Sequence, residues 1–180
     1  MIKFILNNKL TFVVAHILLG YGSTLLRGSN ILKILWVLII GVFIINIIFK
    51  SNRNEEAFLF AAYISSAEVF IRMSKAMILY ETGKYSVILF LLLGIFVGKF
   101  KQKFSVSLAF YLLLLLLGIV LTRVPEGEYI RKAIAFNLSG PFVLGIAGLY
   151  FYKRNITKEN LSNALFFMLL PLFSMVTYLY

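Results

Sequence analysis

No cysteine occurs among the 180 residues. Disulfides, thiolate metal sites and cysteine nucleophiles are therefore excluded, although the lack says nothing of compartment. Histidine occurs once, at His16, inside an apolar run with no acidic residue in sequence reach. It is expected to be a hydrogen-bonded interior residue rather than a base or a metal ligand. The sequence also lacks a metal-ligand cluster, a phosphate-binding glycine loop, a nucleophile elbow and a catalytic carboxylate pair. No metal and no cofactor are expected, and no catalytic residue is assigned. Acidic residues are scarce, seven against 18 Lys and Arg, for a net charge of +11. The basic residues are scattered one to three at a time between apolar runs, which excludes the basic stripe of a nucleic-acid-binding face.

What the chain has in excess is apolar surface: 61% of its residues are hydrophobic, and its mean hydropathy is +0.94. A soluble domain of this composition would have too little polar surface to present to water. A bilayer removes that objection, and each spanning helix needs roughly 20 mostly apolar residues. Seven apolar segments stand out: Leu10 to Leu26, Ile31 to Phe49, Ala57 to Leu79, Tyr85 to Gly98, Phe104 to Thr122, Ala133 to Tyr152 and Leu161 to Tyr180. They are too long and too uniformly apolar for barrel strands, and helices satisfy every backbone group internally. The fold class expected is all-α, a polytopic transmembrane helix bundle of six to seven spans forming one region over residues 1–180. Met1 to Leu26 has no small-residue cleavage site and reads as an uncleaved first span. The last segment finishes at Thr177-Tyr-Leu-Tyr180 without a flanking charge. The chain is therefore expected to be the N-terminal half of a larger membrane protein, packed against further helices.

The loops on the N-terminal side carry ten basic residues: Lys3, Lys9, Lys50, Arg53, Lys99, Lys101, Lys103, Lys153, Arg154 and Lys158. The opposite side carries eight: Arg27, Lys33, Arg72, Lys75, Lys84, Arg123, Arg131 and Lys132. The bias places the N-terminus in the cytoplasm. Eight cations on an extracytoplasmic face are many, and phosphate is the natural anion to match them.

Polar residues inside apolar runs mark candidate sites. Glu68 and Arg72 lie one helical turn apart on one face, with Lys75 three further along. Against lipid each charge would cost about 2.5 kcal/mol or more, so all three are expected to face the interior or a wet cavity. Two readings follow: a pair that pins one helix to its neighbours, or a cationic lining for an anionic substrate with Glu68 holding Arg72. Glu81 and Lys84, flanking Gly83, read as a solvated turn. In the sixth segment Pro141 follows Asn137, Ser139 and Gly140. It either kinks the helix, with Asn137 and Ser139 meeting the freed carbonyls, or breaks it. A break would create a half-helix N-terminus near Arg131 and Lys132 that suits phosphate. Gly94-x-x-x-Gly98 permits close helix packing.

Two strings carry a family resemblance. One is Ala67-Glu-Val-Phe-Ile-Arg-Met73 with Ile78-Leu-Tyr-Glu-Thr-Gly-Lys-Tyr-Ser86. The other is Arg131-Lys-Ala-Ile-Ala-Phe-Asn-Leu-Ser-Gly-Pro141 with Tyr150-Phe-Tyr-Lys153. They resemble the N-terminal half of O-antigen ligase and O-antigen polymerase-like membrane proteins, loosely over the chain from the first segment to Pro171. The resemblance implies a bacterial inner-membrane protein of cell-surface polysaccharide biosynthesis, lipopolysaccharide included. Such a glycosyltransferase-type protein transfers or polymerises glycans carried on undecaprenyl diphosphate at the periplasmic face. The lipid-linked glycan and membrane lipids are the partners it implies, with no nucleic acid. The family's functional arginines and histidine belong to a large periplasmic loop in its C-terminal half, which this sequence lacks, so none is carried over and this chain alone is expected to be inactive. Arg72, Lys75, Arg131 and Lys132 would bind the diphosphate, supported by Glu68, Asn137 and Ser139. The competing expectation is a non-enzymatic small transporter or accessory subunit.

Overall fold

Ser29, Ser105 and Thr157 each stand immediately before a helix. Each side-chain oxygen accepts a hydrogen bond from the backbone N–H three residues on, at Leu32, Leu108 and Asn160 respectively. These caps satisfy orphan donors and set the first turn of three helices. The computed structural model describes residues 2–98, 105–123 and 129–180, with the Arg131 side chain outside what is described. Its elements are α1 (Ile2–Asn7), α2 (Lys9–Leu25), α3 (Asn30–Lys50), α4 (Glu56–Met73), α5 (Thr82–Val97), α6 (Val106–Leu121), α7 (Ile130–Phe151) and α8 (Lys158–Leu179). Among the described residues there is no strand, so the all-α expectation holds.

The bundle is built around α4, which packs on α8, α5 and α3. Helix α2 lies against α8, α7 against α5, and α6 sits outermost on α7. The interior is aromatic. Phe43 of α3 stacks on Phe60 of α4 with ring centroids 4.2 Å apart, and Phe90 of α5 meets both rings edge-on. Trp36 is buried against Tyr63 and Phe70. Such pairs add about 0.5–1.5 kcal/mol each beyond the area they bury.

Close approach of α4 to α5 depends on two glycines. Gly83 and Gly94 are eleven residues apart, three turns, and so share one face of α5. A Cβ on Gly94 would lie 2.6 Å from the Ala57 Cβ and 2.7 Å from the Tyr150 ring, and one on Gly83 2.8 Å from the Glu68 Cβ. The expected Gly94-x-x-x-Gly98 packing is therefore half realised, since Gly98 caps the C-terminus of α5.

Three helices are long and apolar enough to cross a membrane: Asn30–Lys50, Lys132–Phe151 and Lys158–Leu179. The six to seven spans expected are not reached at that length. Helices α2, α5 and α6 are apolar but have 17, 16 and 16 residues, about 24–26 Å at 1.5 Å per residue. Helix α4 carries three charges, Glu56, Glu68 and Arg72. The third apolar segment also ends earlier than expected, at Met73 rather than near Leu79. There the N–H of Ala76 bonds the Ile71 carbonyl and that of Lys75 the Arg72 carbonyl, while Lys75 takes φ 56°. This is a Schellman stop with lysine in the left-handed position that glycine usually fills.

Candidate functional site

The Schellman stop decides which of the expected residues come together. Glu68 and Arg72 remain on α4 and pair at 2.6 Å. Lys75 does not share their face; it lies in the turn beyond, exposed, with its side chain beside Gly28. In its place the chain folds back so that Glu81 reaches Arg72 at 2.8 Å and Lys84 at 3.0 Å. Glu81 is only 1% exposed, so the solvated turn expected around Gly83 is instead a buried carboxylate between two cations. Thr82 holds this loop, its hydroxyl accepting from the N–H groups of Ile78 and Leu79 and donating to the Leu79 carbonyl.

The network continues to α7, where Lys84 Nζ donates to Ser139 Oγ at 3.2 Å. Ser139 thus supports the site through Lys84. Asn137 is exposed and has no hydrogen-bond partner among the described residues. Helix α7 runs without interruption through Pro141, so the broken half-helix does not form and no mid-helix anion site arises there. Lys132, in the first turn of α7, lines a cavity of about 300 Å³ with Tyr80, Tyr85, Tyr129 and Ala135. Tyr80 connects this cavity to the ion-pair network, because the Arg72 guanidinium lies over its ring at 5.8 Å. Of the expected diphosphate ligands, Arg72 and Lys132 are therefore brought to one end of the bundle and Lys75 is not. For Arg131 only its place in α7 is described.

Electrostatically the network is balanced, with Glu68 and Glu81 against Arg72 and Lys84. A single Arg72 nitrogen, Nη2, makes both bonds to carboxylates. Guanidinium carries five N–H donors in a planar fork, so three remain, on a side chain 39% exposed. Two carboxylates hold the fork in place while its other edge stays available to an anion.

A second polar cluster, not anticipated from the sequence, lies at the opposite end. Asn52, fully buried, donates to the Tyr150 hydroxyl and the Gly94 carbonyl and accepts from the N–H of Ala57. Glu55 accepts from the Tyr150 hydroxyl and from Arg154 at 2.7 Å, and the Arg154 guanidinium stacks on the Tyr150 ring at 3.9 Å. Ser51, Asn52 and Glu55 all take positive φ, which lets this short link aim its polar side chains inward. In the sequence the run Lys50-Ser-Asn-Arg-Asn-Glu-Glu56 shows only as a polar link between apolar segments. His16 behaves as expected, hydrogen-bonded to the Phe12 carbonyl and to the Tyr63 hydroxyl. No group of residues able to hold a metal ion exists among the described residues.

Some polar groups lie inside the bundle, and many large apolar side chains face outward. Glu56 and Ser174 are fully buried, whereas Leu25, Phe49 and Val120 are more than four-fifths exposed. Helix α6, sixteen almost wholly apolar residues, has no buried residue, a pattern that a helix shows when hydrocarbon surrounds it. No protein-family model, curated protein or solved structure matches the chain.

Proposed function

We propose that this protein is a polytopic bacterial inner-membrane protein that binds the diphosphate of a polyprenyl-linked glycan, as part of O-antigen ligase- or polymerase-like glycan transfer. In this reading α2 to α8 all cross the bilayer, the 16- and 17-residue helices spanning by local thinning. The N-terminus is cytoplasmic, and the Arg72 end lies at the periplasmic face. The observation that carries the proposal is the pairing of a guanidinium, fixed by two carboxylates, with a tyrosine-walled cavity holding Lys132. A diphosphate wants fixed, bidentate donors and a mobile cation, and the tyrosines offer stacking faces to a sugar or prenyl group.

The test uses Arg72→Ala and Lys132→Gln in cells and in vesicles. Lys132 is exposed and takes no part in the ion-pair network, so its replacement leaves the bundle intact. Both variants should insert into the membrane normally yet lose surface polysaccharide, and should bind polyprenyl diphosphate several-fold more weakly while polyprenyl alcohol is unaffected. Normal polysaccharide with both variants, or equal binding of diphosphate and alcohol by the parent protein, would sink the proposal. One observation favours the non-enzymatic alternative: Glu68 and Glu81 are both engaged, leaving no free acid at that end among the described residues. A carrier of this kind would move the lipid-linked substrate without forming new glycosidic bonds.

A further inference from the structure

One apolar cavity among the described residues plays no part in the site described above. Helices α2 and α3 are joined by a short turn, yet α2 packs on α8 while α3 packs on α4 and α5. They diverge around a slot of about 490 Å³ walled by Phe12, His16, Leu19, Leu35, Ile39 and Tyr63, with Phe4 and Ile5 of α1 at one end. Its polar wall groups satisfy each other. The Phe12 carbonyl can only accept, so His16 Nδ1 carries the proton and Nε2 accepts from the Tyr63 hydroxyl. The rest of the wall is hydrocarbon, and the outer faces of α2 and α3 expose apolar residues such as Leu18 and Leu38.

Two cations stand near the end of this slot that α1 lines, while toward the other end Lys33 stands two residues before Leu35. Lys9 lies three residues before Phe12 and seven before His16, on the slot-facing side of α2. Its ammonium rests 5.3 Å above the ring of Phe166, the neighbour of slot residue Phe167. Lys3 stands exposed on α1, and no carboxylate pairs with either lysine among the described residues. An apolar slot with two cations that lack carboxylate partners near its α1 end is complementary to an amphiphile with one hydrocarbon chain to bury and a negative headgroup.

We propose that the α2–α3 slot holds an acyl chain of an anionic phospholipid from the surrounding bilayer, with its phosphate at Lys9 and Lys3. The proposal rests on the membrane reading and is independent of the diphosphate site. Trp36, the sole tryptophan, supplies the assay: it is 1% exposed, and its ring neighbours Tyr63 on the slot wall. Bulk lipid cannot touch it, but a chain in the slot lies one ring away. The 180-residue protein is reconstituted in mixed phosphatidylcholine and phosphatidylglycerol vesicles with brominated chains on one lipid or the other. A double variant, Leu117→Trp with Trp36→Phe, moves the single indole to the exposed face of α6 and reports contact with bulk lipid.

Brominated phosphatidylglycerol should quench Trp36 more strongly than brominated phosphatidylcholine. The preference should fall about five-fold for each of Lys3→Gln and Lys9→Gln. Ala15→Phe should abolish the quenching; if it fails to fold, Ile39→Phe closes the slot from α3. An unquenched Trp36 in the parent, with the α6 indole of the double variant quenched, overturns the slot. Equal quenching of Trp36 by both lipids overturns the headgroup contact. If neither indole is quenched, the membrane reading itself fails.

Discussion

Replacing Glu81 by Gln removes one negative charge from between two cations while preserving the side-chain shape. Its carboxylate accepts from Arg72 at 2.8 Å and from Lys84 at 3.0 Å, with its own side chain 2% exposed. A hydrogen bond to a charged group contributes about 1.5–3 kcal/mol, so two would give about 3–6 kcal/mol if fully buried. Both cations are about a third exposed, and screening reduces such pairs strongly. Arg72 also keeps Glu68, and Lys84 keeps Ser139. The remaining loss is about 2 kcal/mol, which for a chain of this length lowers the unfolding midpoint by roughly 4–8 °C. Trp36 fluorescence in detergent, followed on heating, reads the transition, since that ring packs on Tyr63 and Phe70 of α4. A double-mutant cycle with Arg72→Met should give a coupling of about 1 kcal/mol. A Glu81→Gln midpoint within about a degree of the parent, or strict additivity in the cycle, would refute the view that this carboxylate clamps α4 to α5.

Two further predictions concern the other end of the bundle. Glu55→Gln should destabilise by about 3 kcal/mol, because it leaves the Arg154 guanidinium, less than a tenth exposed, facing a neutral group; an unchanged midpoint would show that water reaches the pair. Gly94→Ala should cost about 1–3 kcal/mol through overpacking against Ala57 and Tyr150. The same substitution at Gly22, where an added Cβ meets nothing within 4 Å, should be neutral. Equal midpoints for the two alanine variants would argue against the tight α4–α5 contact.

Much of the architecture could be read before any coordinates. Uninterrupted apolar runs allow one period and one kind of hydrogen bonding, so helix type and order followed from composition and spacing. The pairing of Glu68 with Arg72 was visible too, being set by helical pitch. The stop at Met73 was not, because its left-handed position is filled by Lys75 rather than glycine. That single backbone reversal displaced Lys75 from the expected face and brought Glu81 and Lys84 to Arg72.

Helical structure, abundant apolar surface and basic residues at both ends of the helices were all legible in the order of residues, since they depend on side-chain chemistry and on contacts within one turn. Which charges meet was a matter of tertiary packing. The Asn52, Glu55, Tyr150 and Arg154 cluster joins residues about a hundred positions apart, and the Lys84–Ser139 bond spans 55. Such pairings depend on how α4, α5 and α7 lie against one another, which glycines such as Gly94 permit but no local pattern announces. The slot between α2 and α3 has the same origin, left where two helices adjacent in sequence pack on different partners.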